Sequence, residues 1–216
     1  MTYKAIVWDL DGTLLDTVAD LTTAINHAMS VCGFAAHTPD EVRSYFGSGV
    51  RHALVCASPA NTDAETLERG YKAFCERYAE CCNDRTAPYA GILELLADLQ
   101  AAGVKMAIVS NKEDFAVKKL AERYFGDLVC AAVGARADVR LKPAPDTALT
   151  ALREMGIAPA DALYVGDSEV DIQTAKNSGM PCLSVTYGFR TEEYLREMGG
   201  TQFARSVADM REMFGV

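Results

Sequence analysis

Hydrophobic positions change their rhythm along this chain, and the changes divide it. Residues 4–9 (KAIVWD) form a short apolar run with β-branched members, the pattern of a buried strand. From residue 17 the period lengthens. Val18, Leu21, Ile25, Ala28 and Met29 recur at helical spacing, with Asp16 or Thr17 placed to cap the start and Gly33 to end the helix. TPDEVRSYF, GVRHALVCA and DAETLERGYKAFCERYAECC continue as helical segments to about residue 85, with no strand candidate between them. NDRTAPYAG then reads as a linker. The pattern predicts a helical insertion over 17–85 within a core formed by 1–16 and 86–216.

Beyond the linker the pattern alternates. GILELLADLQAAG, DFAVKKLAERYF, PAPDTALTALREMG and VDIQTAKNSG read as helices. VKMAIVSN, DLVCAAVG, ALYVGDS and PCLSVTYG read as strands, followed by a short helix and a further strand near Phe203. Strands separated by helices of this length predict an α/β fold, a parallel sheet covered on both faces. No internal repeat or low-complexity tract interrupts it.

Several predicted strands end in polar residues. The first ends in Asp9 and Asp11, the next in Ser110 and Asn111, and a later one in Asp167, with Asp171 one helical turn beyond. Lys142 follows another strand in the loop ARADVRLKPAPD. Open parallel sheets bind ligands at the carboxyl ends of their strands, so these residues define a candidate site. Asp167 is also placed to cap the helix that follows it.

Residues two apart on a strand point to one side, so Asp9 and Asp11 can face one reacting centre if Gly12 lets the chain turn. An aspartate can attack phosphorus, and a second carboxyl group nearby can protonate the leaving oxygen and then activate water. Two carboxylates facing a phosphate need a cation, and Asp9 with Asp167 offers the hard oxygen ligands that suit Mg²⁺. Lys142 can neutralise the nucleophile and a phosphate oxygen, while Ser110 and adjacent amides can donate to the transferring group.

Composition narrows the ligand classes. The 216 residues are half hydrophobic and carry a net charge of −9, which suits a folded domain and disfavours nucleic acid or an anionic membrane surface as partner. Seven cysteines in odd number and without metal-like spacing suggest a reducing compartment, and three histidines show no ligand spacing. The first residues lack a signal-peptide core, and no stretch is long enough for a membrane span. These features together predict a cytoplasmic protein.

DLDGTLLDT (9–17), VSN (109–111), KPAPD (142–146) and GDSEVDIQTAKNSGM (166–180) resemble, in order and spacing, the four motifs of the haloacid dehalogenase superfamily. The insertion resembles its type-1 helical cap, and LDGTLLDTVADL with TYGFR (186–190) is most similar to the phosphoglycolate phosphatases. The resemblance implies a Rossmann-like core with an inserted all-helical cap. It implies Asp9 as nucleophile, Asp11 as general acid/base, Ser110 as phosphate-binding residue and Lys142 as the charge-stabilising lysine. It also implies Mg²⁺ held by the Asp9 side chain, the Asp11 carbonyl and Asp167, with Asp171 bound to it or one layer out. Gly12, Thr13 and Asn111 are assigned to substrate binding. In the cap, Gly47 precedes a helix carrying Arg51, an arrangement suited to a small acid's carboxylate.

The expected activity is Mg²⁺-dependent hydrolysis of a small phosphorylated metabolite, best matched by 2-phosphoglycolate, through an aspartyl phosphate in a monomer or homodimer. A β-phosphoglucomutase-like enzyme and an inorganic pyrophosphatase use the same core and stay open. Asp11 argues against a dehalogenase, which needs no acid for an alkoxide. A phosphonate hydrolase would need a Schiff-base lysine, and 17–85 offers only Lys72, within a predicted helix. A non-enzymatic phospho-aspartate signalling module would lack both the helical insertion and the second acid.

Overall fold

The structure is a computed structural model and describes residues 3–216. In chain order it contains β1 (Ala5–Trp8), β2 (Leu15–Asp16), α1 (Val18–Cys32), α2 (Pro39–Tyr45), α3 (Val50–Ala57), α4 (Ala64–Cys81) and β3 (Ala87–Pro88). There follow α5 (Ile92–Ala101), β4 (Lys105–Glu113), α6 (Asp114–Tyr124), β5 (Ala131–Ala135), α7 (Asp146–Met155), β6 (Ala162–Gly166) and α8 (Glu169–Ser178). The chain closes with β7 (Cys182–Val185), α9 (Glu192–Glu197), β8 (Phe203–Ala204) and α10 (Val207–Phe214). Two compact units divide it: Met1–Asp16 with Pro88–Val216, and Thr17–Ala87. No helix among the described residues is long and apolar enough to cross a membrane.

The first unit is the expected α/β core. Its six strands run parallel in the order β5-β4-β1-β6-β7-β8. Alternation along β1 explains why the strand is apolar throughout. Ile6 and Trp8 enter the cluster formed with Leu95 and Leu99 of α5, Leu120 of α6 and Phe214 of α10. Ala5 and Val7 enter the opposite cluster with Ala148, Leu152 and Met155 of α7 and Ala175 of α8. From β1 the chain builds outward through β4 and β5, then returns to β6 on the other side and continues through β7 and β8. In open parallel sheets a reversal of this kind marks where ligands bind, here the carboxyl ends of β1, β4 and β6.

Strand β4 runs two residues past its expected end at Asn111. Its register with β5 shifts between Val109 and Glu113. Within that irregular stretch the Lys112 amide donates to Ser110 Oγ at 3.1 Å.

The second unit is helical. α1 packs along α4, with Leu21, Ile25 and Met29 buried, and Gly70 lets the helices approach: a Cβ there would lie 3.2 Å from Cys32 Sγ. Phe74 stacks on Tyr78 with ring centroids 5.4 Å apart. Thr17 stands at the N-cap of α1, yet its hydroxyl makes no cap hydrogen bond, because its backbone is already helical (φ −112°, ψ −2°). The segment 83–91, expected as a linker, contains β3, which pairs with β2 in a two-stranded sheet.

Asp20 is buried in the first turn of α1, 1% exposed. Its carboxylate accepts from the Arg85 amide at 3.0 Å and from the Thr86 amide and hydroxyl at 2.8 Å each. Asp20→Ala would orphan those donors and is expected to lower the unfolding free energy by about 3 kcal/mol. Asp20→Asn should lose less, and urea denaturation of the whole chain measures both.

Candidate active site

The first acidic residue follows directly on the central strand. The Asp9 amide still donates to Val165 O at 2.8 Å, so the backbone stays on β6 for one residue beyond β1. The Leu10 carbonyl then accepts from the Leu14 and Leu15 amides at 3.0 Å each, closing a tight turn. Gly12, at φ +85°, supplies the left-handed residue this turn needs.

Lys142 ties three strand ends together. Its ammonium donates to Asp9 Oδ1 and Asp171 Oδ1, 2.7 Å each, and to the Tyr164 hydroxyl at 3.2 Å. Asn111, expected at the substrate, holds the lysine's backbone. Its amide nitrogen donates to Lys142 O at 2.9 Å, and its oxygen accepts from Lys142 N at 2.7 Å.

Asp171 is fully enclosed. Its Oδ1 also accepts from Tyr164 at 3.0 Å, while its Oδ2 accepts from the Asp167 and Ser168 amides and from Ser168 Oγ at 2.6 Å. Ser168 therefore caps α8 in a capping box with Asp171. Asp167, expected as a possible cap, leaves that place to Ser168, and its carboxylate meets Thr13 and Phe189.

The Asp167 carboxylate lies in a cradle. It accepts from the Thr13 hydroxyl at 3.3 Å and from the Phe189 amide at 2.5 Å. Two glycines leave room for it. A Cβ on Gly12 would lie 2.2 Å from Asp167 Oδ2, and one on Gly188 would lie 2.4 Å from the same atom and 2.3 Å from Gly12 O. Thr13, expected to touch substrate, is 0% exposed and serves Asp167.

Asp11 stands beside this group, its side chain 16% exposed, and accepts from Lys112 Nζ at 2.7 Å. Ser110 is buried at the end of the regular part of β4. The chemistry of Lys112, Tyr164, Gly188 and the Phe189 amide has no counterpart in the sequence reading. The one signal available was adjacency: Lys112 follows Ser110 and Asn111.

Buried charge here is unbalanced. One carboxylate oxygen from each of Asp9, Asp167 and Asp171 fits within 4.8 Å of the others. Three carboxylates against the single Lys142 ammonium leave two negative charges uncompensated. Burial, then the charge of Asp171, pushes the Asp9 pKa up to about 7 despite Lys142. Burial, then Asp9 and Asp171, raises Asp167 well above the carboxylate range. Burial alone would lower the Lys142 pKa, but Asp171 and Asp9 reverse that, and the ammonium stays protonated. An all-oxygen cluster short of two positive charges fits a hard divalent cation.

Gly47 and Arg51 lie in the helical unit. Gly47 has φ +125°, and Gly49 forms the N-cap of α3. The Arg51 guanidinium pairs with Glu68 at 2.7 Å and lies 3.9 Å over the Tyr71 ring.

Comparison with known proteins bears on the whole chain. Residues 6–185 match the family model described as Haloacid dehalogenase-like hydrolase. The chain is 34% identical over 192 residues to a phosphoglycolate phosphatase of Pseudomonas savastanoi pv. phaseolicola, covering 86% of this chain and 70% of that one. It is 30% identical over 215 residues to a phosphoglycolate phosphatase of Chromobacterium violaceum, covering 97% and 96%. The crystal structure of a Lactobacillus delbrueckii subsp. bulgaricus protein proposed to be a phosphoglycolate phosphatase superposes with a TM-score of 0.93 at 36% identity, covering 99% and 98%.

Proposed function

The chain belongs to the haloacid dehalogenase-like hydrolase family, and on that premise we propose that it is a Mg²⁺-dependent phosphatase acting on 2-phosphoglycolate through an aspartyl phosphate. Its class, phosphoric monoester hydrolase, follows from the family and its relatives. The observation that carries the finer reading is the Lys142 ammonium held 2.7 Å from both Asp9 and Asp171 beside Asp167.

In the first step an Asp9 carboxylate oxygen bonds to phosphorus, the ester P–O bond breaks, and the leaving oxygen takes the proton of Asp11. In the second step Asp11 takes a proton from water as the water oxygen bonds to phosphorus. The acyl-phosphate P–O bond breaks, and Asp9 is restored. Lys142 favours the ionised form of Asp9, while the Ser110 hydroxyl donates to a transferring oxygen. Mg²⁺ when bound supplies charge neutralisation for the phosphoryl oxygens. Asp9 and Asp167 would hold it with the Asp11 carbonyl. Asp171 holds Lys142, Tyr164 and the start of α8, and would influence the cation through them.

The relatives' names support 2-phosphoglycolate as the substrate. A panel of 2-phosphoglycolate, β-glucose 1-phosphate, pyrophosphate and p-nitrophenyl phosphate tests it. The highest kcat/KM is expected for 2-phosphoglycolate, with all turnover lost in EDTA. Isomerisation of β-glucose 1-phosphate or preferred cleavage of pyrophosphate would overturn the assignment.

The glycine cradle makes a further prediction. Gly188→Ala drives a methyl group into the Asp167 carboxylate and the Gly12 carbonyl. A displaced ligand is expected to cost about 10²-fold in kcat. Steady-state kinetics at saturating Mg²⁺ measure the loss, with circular dichroism to verify the fold.

A further inference from the structure

We propose that Lys112 is a positioning residue for Asp11, fixing the proton-transferring carboxylate where it meets the leaving oxygen. The inference rests on the reading of Asp11 as the general acid/base. Lys112 Nζ donates to Asp11 Oδ1 at 2.7 Å, joining residues 101 apart in the chain, and the two side chains are only 6% and 16% exposed. An ion pair so far from water has a large desolvation cost and is a weak source of stability. What it does secure is geometry. It spans from the end of β4 to the turn after β1 and draws the Asp11 carboxylate to one defined point.

The local backbone explains how Lys112 comes to face the site at all. On a regular strand, consecutive side chains point to opposite faces. The register shift between Val109 and Glu113 breaks that rule, as an irregular strand re-aims its side chains. Three consecutive residues then each serve a different part of the site. Ser110 presents its hydroxyl and accepts the Lys112 amide, Asn111 grips the Lys142 backbone on both sides, and Lys112 grips Asp11. Each aspartate of the proposed two-step reaction thus has its own lysine, Lys142 for Asp9 and Lys112 for Asp11.

A misplaced proton donor hurts poor leaving groups and spares good ones, which separates this role from a structural one. The test compares Lys112→Met, Lys112→Gln and Lys112→Arg with the unsubstituted chain, all with Mg²⁺. Lys112→Met is expected to lose about 10²-fold in kcat for 2-phosphoglycolate, with KM within twofold. The pre-steady-state burst of p-nitrophenolate from p-nitrophenyl phosphate should stay within about threefold of the parent rate, because phenolate needs little protonation. Lys112→Arg, which restores a cation near the same place, should recover most of the loss. Lys112→Gln serves if Lys112→Met does not fold, and the same separation of leaving groups is expected of it. Equal losses for both esters, a loss confined to KM, or no recovery with arginine would overturn the inference. If the unsubstituted chain turned over neither ester, the phosphatase reading itself would fail. Normal parental activity with an unchanged leaving-group pattern in the variants would remove the role of Lys112 alone.

Discussion

Asp9→Asn is expected to lose at least about 10⁴-fold in kcat on any phosphate ester while remaining folded, since an amide cannot replace the nucleophile of a covalent mechanism. The two effects separate because the ionised Asp9 carboxylate is unfavourable in the fold. Burial, then Asp171, raises its pKa from the model-peptide value of 3.8 to about 7. A carboxyl group whose folded-state pKa is raised destabilises the fold once it must ionise. The penalty grows as pH rises from about 4 and is complete above about 7. In metal-free protein, Asp9→Asn should therefore melt higher than its parent at pH 8. The difference should shrink towards pH 5, where the parent carboxyl holds its proton. Thermal unfolding in EDTA at the two pH values, alongside turnover with Mg²⁺, checks both halves. A variant retaining more than a few per cent of parental kcat would remove Asp9 from the chemistry.

Lys142→Met is expected to fail on both counts. Its ammonium is 3% exposed and is held at 2.7 Å by both Asp9 and Asp171. Removing one partner of a buried ion pair leaves its carboxylates uncompensated, at about 3–5 kcal/mol in stability. Without the lysine the Asp9 pKa climbs further, so less nucleophile is ionised at neutral pH. Activity is expected to fall about 10³-fold and to regain part of that loss as pH rises towards 9. Activity within tenfold of the parent, or a loss that does not vary with pH, would contradict the role drawn for this side chain. Asn111 extends the argument, because its amide fixes the lysine's backbone.

The fold was readable because parallel core strands announce themselves. AIVW, MAIV and ALYV, each within a strand, are apolar, since helices cover both faces of the sheet. The acids and the lysine of the candidate site were readable as a group for a related reason: polar residues have few uses at the end of a buried strand. Their partners were not. That Lys112 reaches Asp11 depends on a register shift in β4, and that Phe189 offers its amide to Asp167 depends on the path of the loop after β7. Neither leaves a mark in residue type. Gly33 ends α1 as expected, but the N-caps were not legible, for a local reason. Thr17 and Ser168 both have suitable side chains, but only Ser168 has the extended backbone that lets its hydroxyl meet the third helical amide. Thr13 shows the same limit, since a hydroxyl in a phosphate-site motif can serve a carboxylate behind the site as readily as a ligand in front of it.

The central claim is that a phosphoryl group passes through Asp9. Rapid acid quench of the chain during turnover of a ³²P-labelled ester with Mg²⁺, followed by peptide mapping, tests it most directly. Label released by hydroxylamine and confined to the peptide and residue of Asp9 is the predicted result. Sustained turnover with no protein-bound label at any quench time, or with the label on another residue, would contradict it.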